Sequence, residues 1–391
     1  MLYQKNWARA WLGFGLVWFL GAIALAPSNK VYQQGLVLFL WLPTLVLAWS
    51  ARAVLIEAWR RQPALWVSVV LLIAWCAISL AWSSVEEPGR EAKRLVYIMV
   101  FLLAFPLLAQ AGTARMRHLL QLGSGLLAVG ALVSIVQFYG LQGHSLIRRL
   151  YGIGEISHPI LGAYVVGIAA LSLLYQVPGR RGAQLGWMLA LACLAVFMML
   201  SQSRGAVLAM LLTVVIAPLW WRNRHSRLVA ALALVATALA FYVVYDRISA
   251  RGSSYRPEIF AAVLQMIGEH PWTGLGLGAS YKVLTVGMQF DHSHNMFTHV
   301  AVELGWPGML LWVAVWLFTL AEIVRARHTP LGKLLLGLWI FSTLAMQFDA
   351  ASLTATPRAE WFISWLVVGL VMLLPWGRAE NDACGKISGS T

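Results

Sequence analysis

The stretch WARAWLGFGLVWFLGAIALA, residues 7–26, is apolar from end to end apart from Arg9. A run of about 17–25 such residues can cross a bilayer as an α-helix. Comparable windows recur along the chain, and the pattern predicts helices over 7–26, 31–49, 64–82, 95–109, 117–139, 159–175, 183–200, 205–221, 227–245, 297–323, 331–349 and 358–376. Of the 391 residues, 60% are hydrophobic and 11% charged, and the mean hydropathy is +0.73. A soluble domain carries roughly a quarter charged residues. This composition excludes a water-soluble globular enzyme and predicts an all-α integral membrane protein of about twelve spans. The first run has no small-residue cleavage site, so it reads as a retained helix and not a signal peptide. Twenty tryptophans suit a chain with many membrane–water boundaries.

The net charge of +14 is that of a membrane protein orienting itself, not of a nucleic-acid binder, because Lys and Arg favour cytoplasmic loops. With both termini in the cytoplasm, the inner side holds seventeen Lys and Arg against four acids, and the outer side twelve against eleven. That asymmetry supports the orientation. Cys76, Cys193 and Cys384 are too scattered for a disulfide framework or a metal cluster. The expected organisation is nine spans in 1–245, a long connection at 246–296, three spans in 297–376 and a polar, disordered tail at 377–391.

The long connection carries the chemistry-bearing residues, since long connections with their own pattern are more often functional than idle. RPEIFAAVLQMIGEH (256–270) has helical apolar spacing and predicts an amphipathic helix. PWTGLGLGAS (271–280) reads as a flexible hinge or a close backbone approach to a ligand; no strand precedes it, which excludes a dinucleotide site. FDHSHNMFTHVAVELGWPG (290–308) holds His292, His294 and His299 directly before an apolar run. These histidines can ligate a metal with Asp291 or Glu303, cap the following helix, or supply a general base. Arg204 lies at the outer end between two spans, and Arg256 opens the amphipathic segment. Two guanidinium groups beside a histidine suit an anionic, membrane-embedded substrate such as a diphosphate. Arg90, Arg94, Arg148, Arg149 and Arg358 read mainly as headgroup contacts. Gln347 and Asp349 border the same edge, and Asp349 is placed to pair with Arg358. Polar groups gather at the outer edge and not at mid-membrane, which favours surface chemistry over transport.

SRGA (203–206), the arginine at 256 followed by HPWTGLGLG (270–278), and SHNMFTHVAVELGWPG (293–308) resemble the O-antigen ligase and polymerase superfamily. The resemblance implies a glycosyltransferase of GT-C type in the bacterial inner membrane with a periplasmic active site. Its donor is O-antigen on undecaprenyl diphosphate and its acceptor a sugar hydroxyl of lipid A–core, with membrane lipids as surroundings and no cofactor or metal. Carried onto this chain, the family's histidine falls on His294, the general base; its arginines fall on Arg204 and Arg256. Asn295 follows the histidine, and His292 is a departure with a secondary role. Within the superfamily, an O-antigen polymerase or a protein O-oligosaccharyltransferase is the alternative.

Overall fold

The computed structural model describes residues 6–250 and 255–376. Every apolar segment predicted from the sequence falls on helix, but not all twelve have the dimensions of a span. Eight single helices are long and apolar enough to cross a membrane: Asn6–Leu25, Asn29–Ser50, Pro88–Ala109, Thr113–Leu141, Arg181–Leu200, Met296–Arg325, Pro330–Phe348 and Ala359–Trp376. Arg52–Arg61 and Pro63–Ser79 make a ninth only if taken as one span, and they bend by 102°. Pro159–Leu174 and Arg204–Leu219 are apolar but shorter. The segment at 227–245 lies in the helix Arg224–Ala250, some of whose side chains are not among those described. The chain is therefore a multi-pass helical membrane protein with eight or nine helices of spanning dimensions among the described residues. The expected tail at 377–391 lies outside them.

Local chemistry sets the helix starts. Pro63, Pro88, Pro159 and Pro330 occupy first-turn positions, where a missing N–H removes no hydrogen bond. Thr329 accepts from Gly332 N at 3.0 Å as an N-cap. Pro218 ends its segment in a 3₁₀ turn, Ala217–Leu219. Small residues set the closest crossing: Gly21 faces Leu126, Gly123 faces Leu20 and Gly130 faces Ala24. Leu126, Leu20 and Ala24 thus seat in the gaps the glycines leave, and helices 6–25 and 113–141 pack closely, as membrane helices do when packing must replace the hydrophobic effect.

Among the described residues, strand occurs only as a hairpin, Val283–Thr285 with Met288–Phe290, in which Leu284 faces Gln289. The glycine-rich stretch before it is no hinge. It lies along the first turns of Met296–Arg325, where Leu275 N donates to Val302 O at 2.9 Å and Gly276 N to Glu303 O at 2.8 Å. On its other side, Leu277 N donates to Ser79 Oγ at 3.1 Å and Ser83 Oγ to Leu277 O at 2.8 Å. The helix breaks at Gly305 (φ 65°, ψ −173°). The carbonyls released there find donors in the strap and in Trp75, whose Nε1 reaches Leu304 O at 2.9 Å. Two motifs that are separate in sequence, TGLGLG and ELGWPG, are one packed unit.

Candidate active site

The site is assembled on the last residues of the Pro330–Phe348 helix. Gly205 packs against the Phe348 ring, which brings Arg204, the first residue of Arg204–Ile216, to this end. Arg256 opens the Arg256–Glu269 helix and donates from its guanidinium to the Phe348 carbonyl. A cation at a helix C-terminus satisfies an orphan carbonyl and complements the helix dipole. The next residue, Asp349, is buried and receives both histidines on one oxygen. His292 Nε2 lies 3.0 Å and His294 Nδ1 3.1 Å from Asp349 Oδ1. The two rings are 4.0 Å apart, centroid to centroid.

His294 is held by its backbone as well. Its φ is 53°, in the left-handed region, a conformation that a side chain with a Cβ adopts only when its surroundings impose it. The surroundings are visible on both sides. Ser293 N donates to Tyr281 OH at 3.3 Å, and Ser293 Oγ donates to Asn295 O at 2.9 Å. Asn295 is the N-cap of Met296–Arg325: its Oδ1 accepts from Phe297 N at 2.9 Å and Thr298 N at 3.2 Å. Its Nδ2 donates to Gln347 Oε1 at 2.7 Å, tying the histidine loop to the helix that carries Asp349. Behind the loop, Tyr281 OH is 2.7 Å from His299 Nδ1, and His299 Nε2 is 3.4 Å from Glu303 Oε2. Glu303 Oε1 also accepts from Gly278 N at 3.2 Å. His299 and Glu303 are buried and brace the fold.

Burial alone would raise the Asp349 carboxyl, but hydrogen bonds from His292 and His294 outweigh it and hold the group well below the usual carboxylate range. An ionised Asp349 fixes the His294 tautomer with the proton on Nδ1, leaving Nε2 as the basic nitrogen.

The sequence-derived candidates Arg204, Arg256, His292, His294 and Asn295 all come to this one end, with Gln347 beside them. Three expectations are corrected. Asp349 pairs with the histidines and not with Arg358; Arg358 instead faces Glu155, Nε to Oε2 3.8 Å. His299 is a buried brace and not a surface cap. Glu303 is taken up by His299 and the strap, so the carboxylate beside His292 and His294 is Asp349, not Glu303 or Asp291. His292, His294 and Asp349 have ligating atoms within 4.8 Å of one another and are the residues that could hold a metal ion; mutual hydrogen bonds already account for their arrangement. Tyr281 was not legible as a participant, because a lone tyrosine before a hairpin carries no spacing signal.

Residues 189–313 match the family model described as O-antigen ligase. An O-antigen ligase of Pseudomonas aeruginosa is 29% identical over 319 residues, 79% of this chain and 77% of that protein. Over these residues the chain is similar to the O-antigen ligase family. The matched region contains Arg204, Arg256, His292, His294 and Asn295 but ends before Gln347 and Asp349, the anchors of the site. A second relative, a probable peptidoglycan glycosyltransferase FtsW of Halorhodospira halophila, is 27% identical over 265 residues, 62% of this chain and 65% of that protein.

Proposed function

We propose that this membrane protein transfers O-antigen polysaccharide from undecaprenyl diphosphate to a sugar hydroxyl of lipid A–core, at the periplasmic face of the bacterial inner membrane. The carrying observation is the pairing of His294 Nδ1 with Asp349, beside Arg256, which donates to the Phe348 carbonyl, and Arg204, whose neighbour Gly205 packs on the Phe348 ring. A carboxylate–imidazole pair makes a general base, and fixed guanidinium groups make a diphosphate site.

A sugar hydroxyl is a weak nucleophile at neutral pH. As its oxygen attacks the anomeric carbon, His294 Nε2 takes the proton and Asp349 stabilises the resulting imidazolium. The bond from the anomeric carbon to the phosphate oxygen breaks, and the electron pair leaves with undecaprenyl diphosphate. Charge grows on that oxygen in the transition state, so Arg204 and Arg256 stabilise it more than the ground state. One displacement inverts the anomeric centre. Asn295 orients the loop through Gln347, and His292 holds Asp349 from its second side. No step requires a metal or cofactor. Both termini are cytoplasmic in this reading, and the overall plan is that of a GT-C glycosyltransferase.

The test is transfer by the purified full-length protein from lipid-linked O-antigen to lipid A–core, in excess chelator, for wild type and His294→Ala. Product from wild type alone supports the reading. Chain growth on lipid-linked glycan, with none on lipid A–core, assigns a polymerase instead.

A further inference from the structure

His158 was not singled out by any motif. It stands at the N-cap of the Pro159–Leu174 helix, exposed, and its Nδ1 accepts from Leu161 N at 3.3 Å. That hydrogen bond decides the tautomer. An imidazole that accepts at Nδ1 carries its proton on Nε2, so the outward nitrogen is a donor.

The packing of two helices places this donor. Pro159–Leu174 and Pro330–Phe348 meet where Gly167 faces the Phe341 ring, with Tyr164 flanking it at 6.3 Å between centroids. Tyr175 lines a cavity with Leu331 and Leu334, so the end of the first helix lies beside the start of the second and the two are antiparallel. His158 lies nine residues before Gly167, and Asp349 eight after Phe341. At about 1.5 Å per helical residue, both stand roughly 12–14 Å beyond the contact, on the same side of it. His158 therefore comes level with Asp349 and its two histidines. The electrostatics agree: His158 is coupled to Asp349 and Arg149. Arg149 reaches this end by donating from Nε to Ser201 O at 2.7 Å, three residues before Arg204. Desolvation of the ring, with the Arg149 guanidinium nearby, holds His158 below its ordinary value despite the pull of Asp349, which favours the neutral ring.

We propose that His158 is a substrate-contacting residue of the transfer reaction, whose Nε2–H donates to a diphosphate oxygen of the lipid-linked donor. The inference rests on the function proposed above. A neutral donor suits the position: it binds an anionic oxygen without adding charge beside the base, and its geometry is set before substrate arrives. The helix cap supplies that rigidity, because the same bond that satisfies Leu161 N aims Nε2 outward.

Two substitutions separate this role from a purely structural cap. In His158→Asn, the amide oxygen replaces Nδ1 and keeps the cap, but nothing replaces Nε2–H. In His158→Gln, the amide nitrogen replaces Nε2 and the cap is lost. Full-length protein in detergent would be titrated with undecaprenyl diphosphate, and transfer to lipid A–core and thermal midpoint followed in parallel. The Asn variant should keep the wild-type midpoint yet bind undecaprenyl diphosphate about tenfold or more weakly, the scale of a hydrogen bond to a charged group. The Gln variant should melt earlier but recover most of the lost affinity. Wild-type affinity in the Asn variant overturns the inference, as does equal loss in both variants that follows a lowered midpoint. Failure of wild type to use lipid A–core would refute the proposed acceptor, while the titration with undecaprenyl diphosphate would still report on His158.

Discussion

His294 reaches Asp349 across 55 residues of chain, Nδ1 to Oδ1 at 3.1 Å, and so takes its orientation from a helix outside its own loop. Removing the base should cost most. General-base catalysis is worth about 10²–10⁴-fold, so His294→Ala should lose at least about a hundredfold in kcat with KM for the lipid-linked donor little changed. Asp349→Asn keeps the shape but offers a neutral oxygen, and should lose kcat by a smaller factor. Initial rates at saturating donor would decide it; an unimpaired His294→Ala with a wild-type thermal midpoint would remove His294 from the mechanism.

In the proposed mechanism Arg256 serves two structures at once. One guanidinium nitrogen holds the Phe348 carbonyl, and the planar fork leaves further N–H groups for phosphate. Lysine offers a point charge and cannot span both with fixed geometry. Arg256→Lys should therefore raise KM for the lipid-linked donor about tenfold, on the scale of a charge-assisted hydrogen bond, with a smaller effect on kcat. Steady-state kinetics at varied donor concentration provide the check.

The membrane class was legible because hydropathy is a summed property, insensitive to packing detail. Arg204, Arg256 and His294 stood out because a charged or titratable side chain directly at the start of an apolar or amphipathic helix is visible in the sequence. Asp349 was visible as polar but was matched to Arg358, its partner by proximity in sequence. The actual partners lie 55 and 57 residues earlier, and only the fold of the hairpin and Met296–Arg325 brings them near. Glycine spacing in TGLGLG was matched to a hinge or to a ligand, whereas the backbone it approaches is the neighbouring helix at Val302 and Glu303.

Gly305 should tolerate no side chain. Its φ of 65° with ψ of −173° is a region open essentially to glycine. A Cβ there would also lie 2.7 Å from the Trp272 carbonyl carbon. Gly305→Ala should destabilise by about 1–3 kcal/mol from backbone strain alone, more with the clash. The strap would shift with it, so the thermal midpoint in detergent should fall and transfer should fall in step. A wild-type midpoint would show that the strap and helix adjust independently.

Asp349 also sets a pH dependence of stability. Its folded carboxyl titrates below the unfolded one, so the folded state binds fewer protons in the acid range. The stabilisation is then fully present above the unfolded value of about 3.9 and is lost as pH falls through the folded value. The midpoint difference between wild type and Asp349→Asn should stay constant from about pH 5 to 8 and shrink below about pH 4. A difference that changes across neutral pH instead would place the linkage on another group.

Equivalence of His292 and His294 is the last point at issue. Both meet the same Asp349 oxygen, but through different nitrogens, Nε2 for His292 and Nδ1 for His294. Were they ligands of an essential ion, loss of either would empty the site, and a chelator would do the same. With His294 as base and His292 as a support for Asp349, the two are unequal. His292→Ala removes one of two hydrogen bonds to a carboxylate that keeps the other, a loss of about 1.5–3 kcal/mol at most. It should retain measurable transfer under conditions where His294→Ala retains little, and excess chelator should change neither variant nor wild type. Equal loss in both variants, with chelator sensitivity reversed by added zinc, would replace the base mechanism with a metal-centred one.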